Sequence, residues 1–377
     1  MSTPRTYRMA TFGHTDLIIH PNAAITITII AAMYYPFFAT RTPTAAALVL
    51  SAALALALAG SVLAHEVAHV VTARLFGITT SRIELTILGG HAHFTTPFVR
   101  PGPHILTSLA GPAMNLLLAA LVTALTWSTN PATPLYALGD TVAYLNVLLG
   151  LFNMLPAYPL DGGHTLTGLV WAVTKTRSTA TRLTAYTTTV LAVIVFLIMV
   201  GMVVIFPSAG TVILVVWAAV VAPLLLVGAR NGMRNARRLE ALERLSLQQV
   251  ARPVVVLPRQ ATTSDAVAAS HQHPTAILVH DGEPVTWTDR ATLLRVPGEV
   301  VSSTPLSMVM VPLTPGSVIA GTADMVVVAS LLWGGDQQRP VLMMRTDGVL
   351  VSAVLGADLL AAVSTGPRRL STDIDEG

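Results

Sequence analysis

From Thr42 to Ala64 no residue carries a charge. A helix crossing a bilayer needs about 20 mostly apolar residues, so this stretch predicts a transmembrane span. Extended to 44–73, it is one of six charge-free or nearly charge-free stretches; the others are 17–38, 104–128, 135–158, 183–206 and 210–229. Six spans are therefore predicted, separated by short polar or Pro/Gly breaks such as "STNPATP" and "FPSAG". Composition agrees: the chain is 53% hydrophobic and 11% charged, against roughly 25% charged in soluble domains. Residues 1–15 show no cleavage-type signal, so the first span is expected to be retained. With no cysteine present, disulfides and Cys-ligated metal sites are excluded.

Six spans place both termini on one side. Of the Lys and Arg residues up to Arg238, all but Arg41 then fall on that side, which the positive-inside rule assigns to the cytoplasm. The expectation is a multi-pass cell-membrane protein embedded in the lipid bilayer. The basic run "RNGMRNARR" directly follows a span, so it reads as a lipid-facing stop signal rather than a nucleic-acid surface.

The predicted organisation is a membrane domain at 1–230 with a catalytic core at about 44–165, a charged connector at 231–249 and a mixed soluble domain at 250–377. In that last part "ILVHDGEPVTWTDRATLL" (277–294) echoes "VLMMRTDGVLVSAVLGADLL" (341–360). Each reads strand, Asp-Gly turn, strand, short helix, which suggests two paired α/β modules.

The chemistry begins at "SVLAHEVAHVV" (61–71). His65 and His69 are four apart, hence on one helix face, and two imidazoles so placed can reach one zinc ion. Glu66, beside that face, can take a proton from an attacking water. The bland alternative is a pair of satisfied core histidines. It leaves unexplained a glutamate inside an apolar span, where ionisable groups are costly and usually functional.

A catalytic zinc needs a third protein ligand. Residues 1–230 contain five carboxylates: Asp16, Glu66, Glu84, Asp140 and Asp161. Asp140 starts span four on the outer side, roughly 30 Å of helix from Asp161. Asp161 lies on the side of the histidines and is the preferred ligand, with Glu84 the runner-up. Asp161 sits in "NMLPAYPLDGG" (153–163), where prolines and glycines interrupt a helix. Broken backbone at membrane depth is tolerated where it lines a cavity.

HEVAH in span two, "AGPAMN" (110–115) in span three and "NMLPAYPLDGG" closing span four together resemble the site-2 protease family of intramembrane zinc metalloproteases; "DLIIHPN" resembles that family's lead into its first span. The resemblance covers about residues 10–229. It implies a catalytic core of spans two to four, one Zn2+ per chain held by His65, His69 and Asp161, and Glu66 as acid/base. It also implies that Asn153 steadies the oxyanion. The C-terminal modules resemble a tandem pair of cystathionine-β-synthase-type (CBS) domains, carried by one six-span branch of that family. Related modules bind the ribose of adenine nucleotides through an aspartate near the final helix; Asp358 stands there in the second module. Thr292 replaces it in the first, and Leu355 replaces the usual upstream threonine. A ligand-free cap that dimerises or regulates the enzyme therefore stays open beside nucleotide binding, with a homodimer through the pair as one form of it.

Two features carry double readings. "RIELTILGGHAHFTT" (82–96) alternates around Gly89-Gly90 as a hairpin does. In resembling proteases a re-entrant hairpin here offers an edge to an extended substrate strand. His91 and His93 share one face of it, as polar edge residues or as metal ligands. Gly111, Pro112 and Asn115 either let helices approach closely or, for Asn115, face substrate.

The fold class expected is thus an all-α polytopic membrane domain with a re-entrant hairpin, followed by an α/β tandem CBS-like domain. The function expected is hydrolysis of a peptide bond in or near the transmembrane helix of a single-pass membrane protein, such as a membrane-bound anti-sigma factor. The rival class, a zinc transporter or sensor, requires further intramembrane ion-passing groups, and 183–228 offers no His, Asp, Glu, Lys or Arg; an inactive relative would not need intact HEVAH and LDG motifs.

Overall fold

The computed structural model describes residues 7–12, 15–86, 89–206, 209–257, 261–269, 275–280, 283–298, 300–301, 304–313, 318–321, 323–333, 341–346 and 349–365. The chain divides into two compact units, Met1–Arg237 and Arg238–Gly377.

The first unit contains β1 (Tyr7–Phe12), β2 (Thr15–Ile19), α1 (Ala23–Ala39), α2 (Thr44–Leu75), β3 (Thr80–Thr86), β4 (Gly89–Phe94), α3 (Pro101–Thr126), α4 (Pro134–Asn153), α5 (Asp161–Thr174), α6 (Arg177–Ile205) and the start of α7 (Ala209–Glu243). Among the described residues α2, α3, α4 and α6 are long and apolar enough to cross a membrane; α1 is apolar but 17 residues long. This is a membrane protein. α3 packs against α2, α4 and α5 and so stands at the centre.

Two expectations about this unit change. Residues 17–19, read as the start of span one, belong instead to β2, which runs parallel to β3. The break is His20-Pro21, after which the helix begins at Ala23. The hairpin forms, but within a four-stranded sheet of order β1-β2-β3-β4, so the unit is not all-α. Gly89 and Gly90 open β4 rather than make the turn, pairing with Thr86 and Leu85. One face of the sheet buries Leu17 and Ile83 against Val70 of α2. Arg74 donates to Thr15 Oγ1 at 2.7 Å and Thr15 Oγ1 donates to the Thr80 carbonyl at 2.8 Å, which ties the end of α2 to two strands. α2 stops at Gly77, whose φ of 72° is the left-handed conformation that ends helices.

The second unit holds α8 (Leu247–Val250), β5 (Ala251–Leu257), α9 (Thr263–Ala269), β6 (Thr275–His280), β7 (Glu283–Asp289), α10 (Arg290–Leu293), β8 (Val311–Pro312), β9 (Val318–Ala320), α11 (Met325–Trp333), β10 (Val341–Thr346), β11 (Val349–Leu355) and α12 (Gly356–Thr365). The two repeated segments form the antiparallel hairpins β6–β7 and β10–β11, each followed by a helix. Their Asp-Gly turns, 281–282 and 347–348, lie outside the described residues. β5 runs parallel to β6 and β9 parallel to β10, so the likeness extends one strand upstream. Leu242, Leu245 and Leu247, from the stretch read as connector, join Val328, Val354 and Leu359 in the core. α9 is capped by Thr262, whose N–H and hydroxyl both donate to Asp265 at 2.8 Å and hold that carboxyl below its ordinary range.

Candidate metal and catalytic centre

Three side chains from two helices converge. His65 Nε2 lies 3.0 Å from Asp161 Oδ2, His69 Nε2 lies 3.3 Å from Asp161 Oδ1, and the two Nε2 atoms are 3.1 Å apart. These are the group able to hold a metal ion among the described residues. The α2 spacing aligns the imidazoles, and Asp161 is the first residue of α5, where a carboxylate also favours the helix dipole. Gly162 and Gly163 make that placement possible. A β-carbon on Gly163 would stand 2.6 Å from the Ala157 carbonyl carbon, and one on Gly162 would strike the carbonyl oxygens of Met154 and Leu155. The LDGG glycines let the loop fold back onto the helix start.

The donor set fits zinc. Bonds of 2.0–2.1 Å at tetrahedral angles put neighbouring ligand atoms about 3.3–3.4 Å apart, close to the three separations here. The lone pairs are also aimed correctly. His69 Nδ1 donates to the Thr107 carbonyl at 2.6 Å, which leaves Nε2 of the neutral ring free to ligate. His65 and His69 are 6% and 7% exposed, so without a cation their converging lone pairs would be left poorly paired. Gly111 of α3 completes the cradle: a β-carbon there would stand 2.5 Å from His65 Nε2. Gly111→Ala is accordingly expected to weaken zinc binding by more than about tenfold, a loss of outer-shell size, while the helix itself gains propensity. Zinc titration with thermal unfolding checks it; unchanged affinity would refute the cradle.

Glu66 is 7% exposed and stays outside the three-atom group. It points toward β4, where a β-carbon on Gly90 would stand 2.9 Å from its Cδ and Oε1. The carboxylate thus lies against β4, an edge strand of the sheet.

The other expected site residues fall as follows. Asn115, one turn beyond Gly111, is fully buried, and neither atom of its amide has a hydrogen-bond partner among the described residues. Asn153 closes α4 and is half-buried. Asp140 is exposed in the first half of α4 and joins no ligand group among the described residues. Glu84, the runner-up ligand, is engaged in the sheet: Arg82 Nε lies 2.6 Å away, with His20 and His93 at 3.5 and 3.6 Å. His91 faces Glu84 in register and is exposed. Asp358 is hydrogen-bonded to Arg252 of β5, and its second oxygen is buried without a partner among the described residues. Sequence reasoning missed the Thr107 carbonyl and took Gly111 for a packing residue.

The model of Peptidase family M50 matches residues 53–142 and 126–200. "Putative zinc metalloprotease sll0528" of Synechocystis is 35% identical over 120 residues, covering 32% of each chain. "Putative zinc metalloprotease Rip3" of Mycobacterium tuberculosis is 37% identical over 125 residues, again 32% of each. The chain therefore spans about a third of the length of the curated relatives it matches. Among solved structures, the site-2 protease from Methanocaldococcus jannaschii aligns with a TM-score of 0.42 at 21% identity, over 61% of this chain and 96% of that one.

Proposed function

We propose that this chain is an intramembrane zinc metalloprotease of the site-2 type, cleaving a peptide bond in or near the transmembrane helix of a single-pass membrane protein. The observation that carries the reading is the placement of Glu66 next to the ligating His65 on α2 and against Gly90 of the edge strand β4. The match of residues 53–200 to Peptidase family M50 supports it.

His65, His69 and Asp161 would hold one zinc ion, which when bound supplies Lewis acidity toward a peptide carbonyl and toward water. A substrate helix hides its carbonyls in its own hydrogen bonds, so it must unwind before attack. An unwound segment can pair with β4 by backbone hydrogen bonds, and Gly89 and Gly90 present no side chain to keep it from Glu66. Glu66 accepts the proton of the attacking water as the carbonyl carbon gains oxygen. It then donates that proton to the leaving nitrogen as the C–N bond breaks. Asn115 and Asn153 are the amides proposed to steady the carbonyl oxygen or substrate backbone; the buried amide of Asn115, without a hydrogen-bond partner among the described residues, supports this for the first.

The proposed topology has six spans, α1 and α7 completing the set, with both termini and the second unit cytoplasmic. That unit is proposed as a CBS-like regulatory pair, able to form a homodimer. Adenine-nucleotide binding at Asp358 would require displacing Arg252, so a cap without nucleotide is the favoured form. The test of the activity is metal removal from purified full-length protein acting on a synthetic transmembrane peptide. Chelation is expected to abolish cleavage and stoichiometric zinc to restore it; cleavage that survives complete chelation would refute the proposal.

A further inference from the structure

The loop carrying Asp161 is held by helices outside the three-span catalytic core. Residues 155–160 link α4 to α5. From α6, Thr188 Oγ1 accepts the Tyr158 N–H at 2.9 Å, and Thr188 is 0% exposed. The Tyr158 hydroxyl is hydrogen-bonded to Thr167 Oγ1 of α5, which donates to Thr184 Oγ1 of α6 at 3.0 Å. From α7, Gly228 lies against the Tyr158–Pro159 peptide. A β-carbon there would stand 2.6 Å from the Tyr158 carbonyl carbon and 2.8 Å from the Pro159 nitrogen. One turn later Gly232 lies against the Tyr158 ring, its β-carbon position 2.8 and 2.9 Å from Cδ2 and Cε2. Leu225, on the same face, is buried with Ala157, Leu160 and Ala192.

Leu225, Gly228 and Gly232 therefore set one stripe of α7 onto a loop that ends at the residue before Asp161. Gly162 and Gly163 bind the same loop to the start of α5, so a push on Tyr158–Pro159 has little slack to absorb it before the carboxylate. A metal ligand tolerates only about 0.5 Å of misplacement. Resting on the metal reading above, we propose that Gly228, Gly232 and Thr188 are positioning residues: α6 and α7 clasp Tyr158–Pro159 and thereby set the Asp161 carboxylate against the histidine pair.

The test measures zinc affinity by chelator competition, and thermal unfolding of the zinc-free protein, on full-length variants. Gly201→Ala is the control, since nothing among the described residues lies within 4 Å of the added carbon. Gly228→Ala, which meets backbone that cannot rotate away, is expected to weaken zinc binding by about 10–100-fold, the range for lost outer-shell support. Gly232→Ala meets a side chain and is expected to cost less, about tenfold or below. The clasp makes a sharper demand: Gly232→Ala should weaken zinc binding in the wild-type background and leave it unchanged in Tyr158→Ala, because the ring transmits the push. An equal loss in both backgrounds, tracking a loss of zinc-free stability, is the signature of a merely structural glycine and overturns the inference. Should Gly228→Ala not fold, the Gly232–Tyr158 pair decides alone. Asp161→Ala carried alongside separates the failures. Zinc unchanged in Asp161→Ala overturns the metal reading and the clasp with it. Zinc lost there but unchanged in Gly228→Ala and Gly232→Ala overturns the clasp only.

Discussion

Glu66→Gln is expected to lower peptide cleavage by about 10²–10⁴-fold, the usual contribution of a positioned acid–base group, with zinc still bound at wild-type stoichiometry. Glutamine keeps the length and shape that fit beside Gly90, so the strand and the helix should not move. What is lost is the ability to take a proton from water and return it to the leaving amine. Glu66 is adjacent to His65 in sequence but is not one of the three converging ligands, which is why metal and activity should separate. Metal analysis and cleavage rate on one preparation decide it. Zinc falling together with the rate would place Glu66 in the coordination shell and remove the role assigned to it.

Asp161→Ala should behave in the opposite way, losing zinc and activity together. It removes the oxygens that lie 3.0 and 3.3 Å from the two imidazoles and leaves only two protein donors where a catalytic zinc requires three. A weakening beyond about a hundredfold is expected, since outer-shell partners alone cost 10–100-fold. Asp140→Ala and Glu84→Ala should retain zinc. Asp140 is exposed on α4, and Glu84 answers Arg82, His93 of β4 and His20 just past β2. Stoichiometric zinc in Asp161→Ala, or its loss in Glu84→Ala, would overturn the ligand assignment.

Much of the centre was legible because its chemistry is written in side chains. The His65–His69 spacing needs only the helical repeat, and span direction alone chose Asp161 over Asp140. What was not legible lies in the backbone. The Thr107 carbonyl that orients His69 has no side-chain signature. Gly111 looks the same in sequence whether its bare face meets another helix or two ligating nitrogens. Hydropathy also could not tell the short strand ending at Ile19 from the first turns of a span, as short apolar runs are ambiguous on periodicity alone; the His20-Pro21 break was the available signal. Gly89-Gly90 suggested a turn, the commonest use of such a pair, whereas Gly90 serves a close approach to Glu66. α5 was not anticipated because three glycines in 14 residues argue against a helix on propensity, and two of them exist to admit the loop before it.

The central claim, that this chain hydrolyses membrane-protein substrates through Glu66 at a His65–His69–Asp161 zinc centre, is tested most directly by mass spectrometry of membrane-derived peptides from cells expressing wild-type or Glu66→Gln protein at equal levels and equal zinc content. At least one single-pass protein is expected to be cut in or beside its transmembrane segment in wild-type cells and left whole in the Glu66→Gln cells. The same cut peptides at the same abundance in both would contradict it.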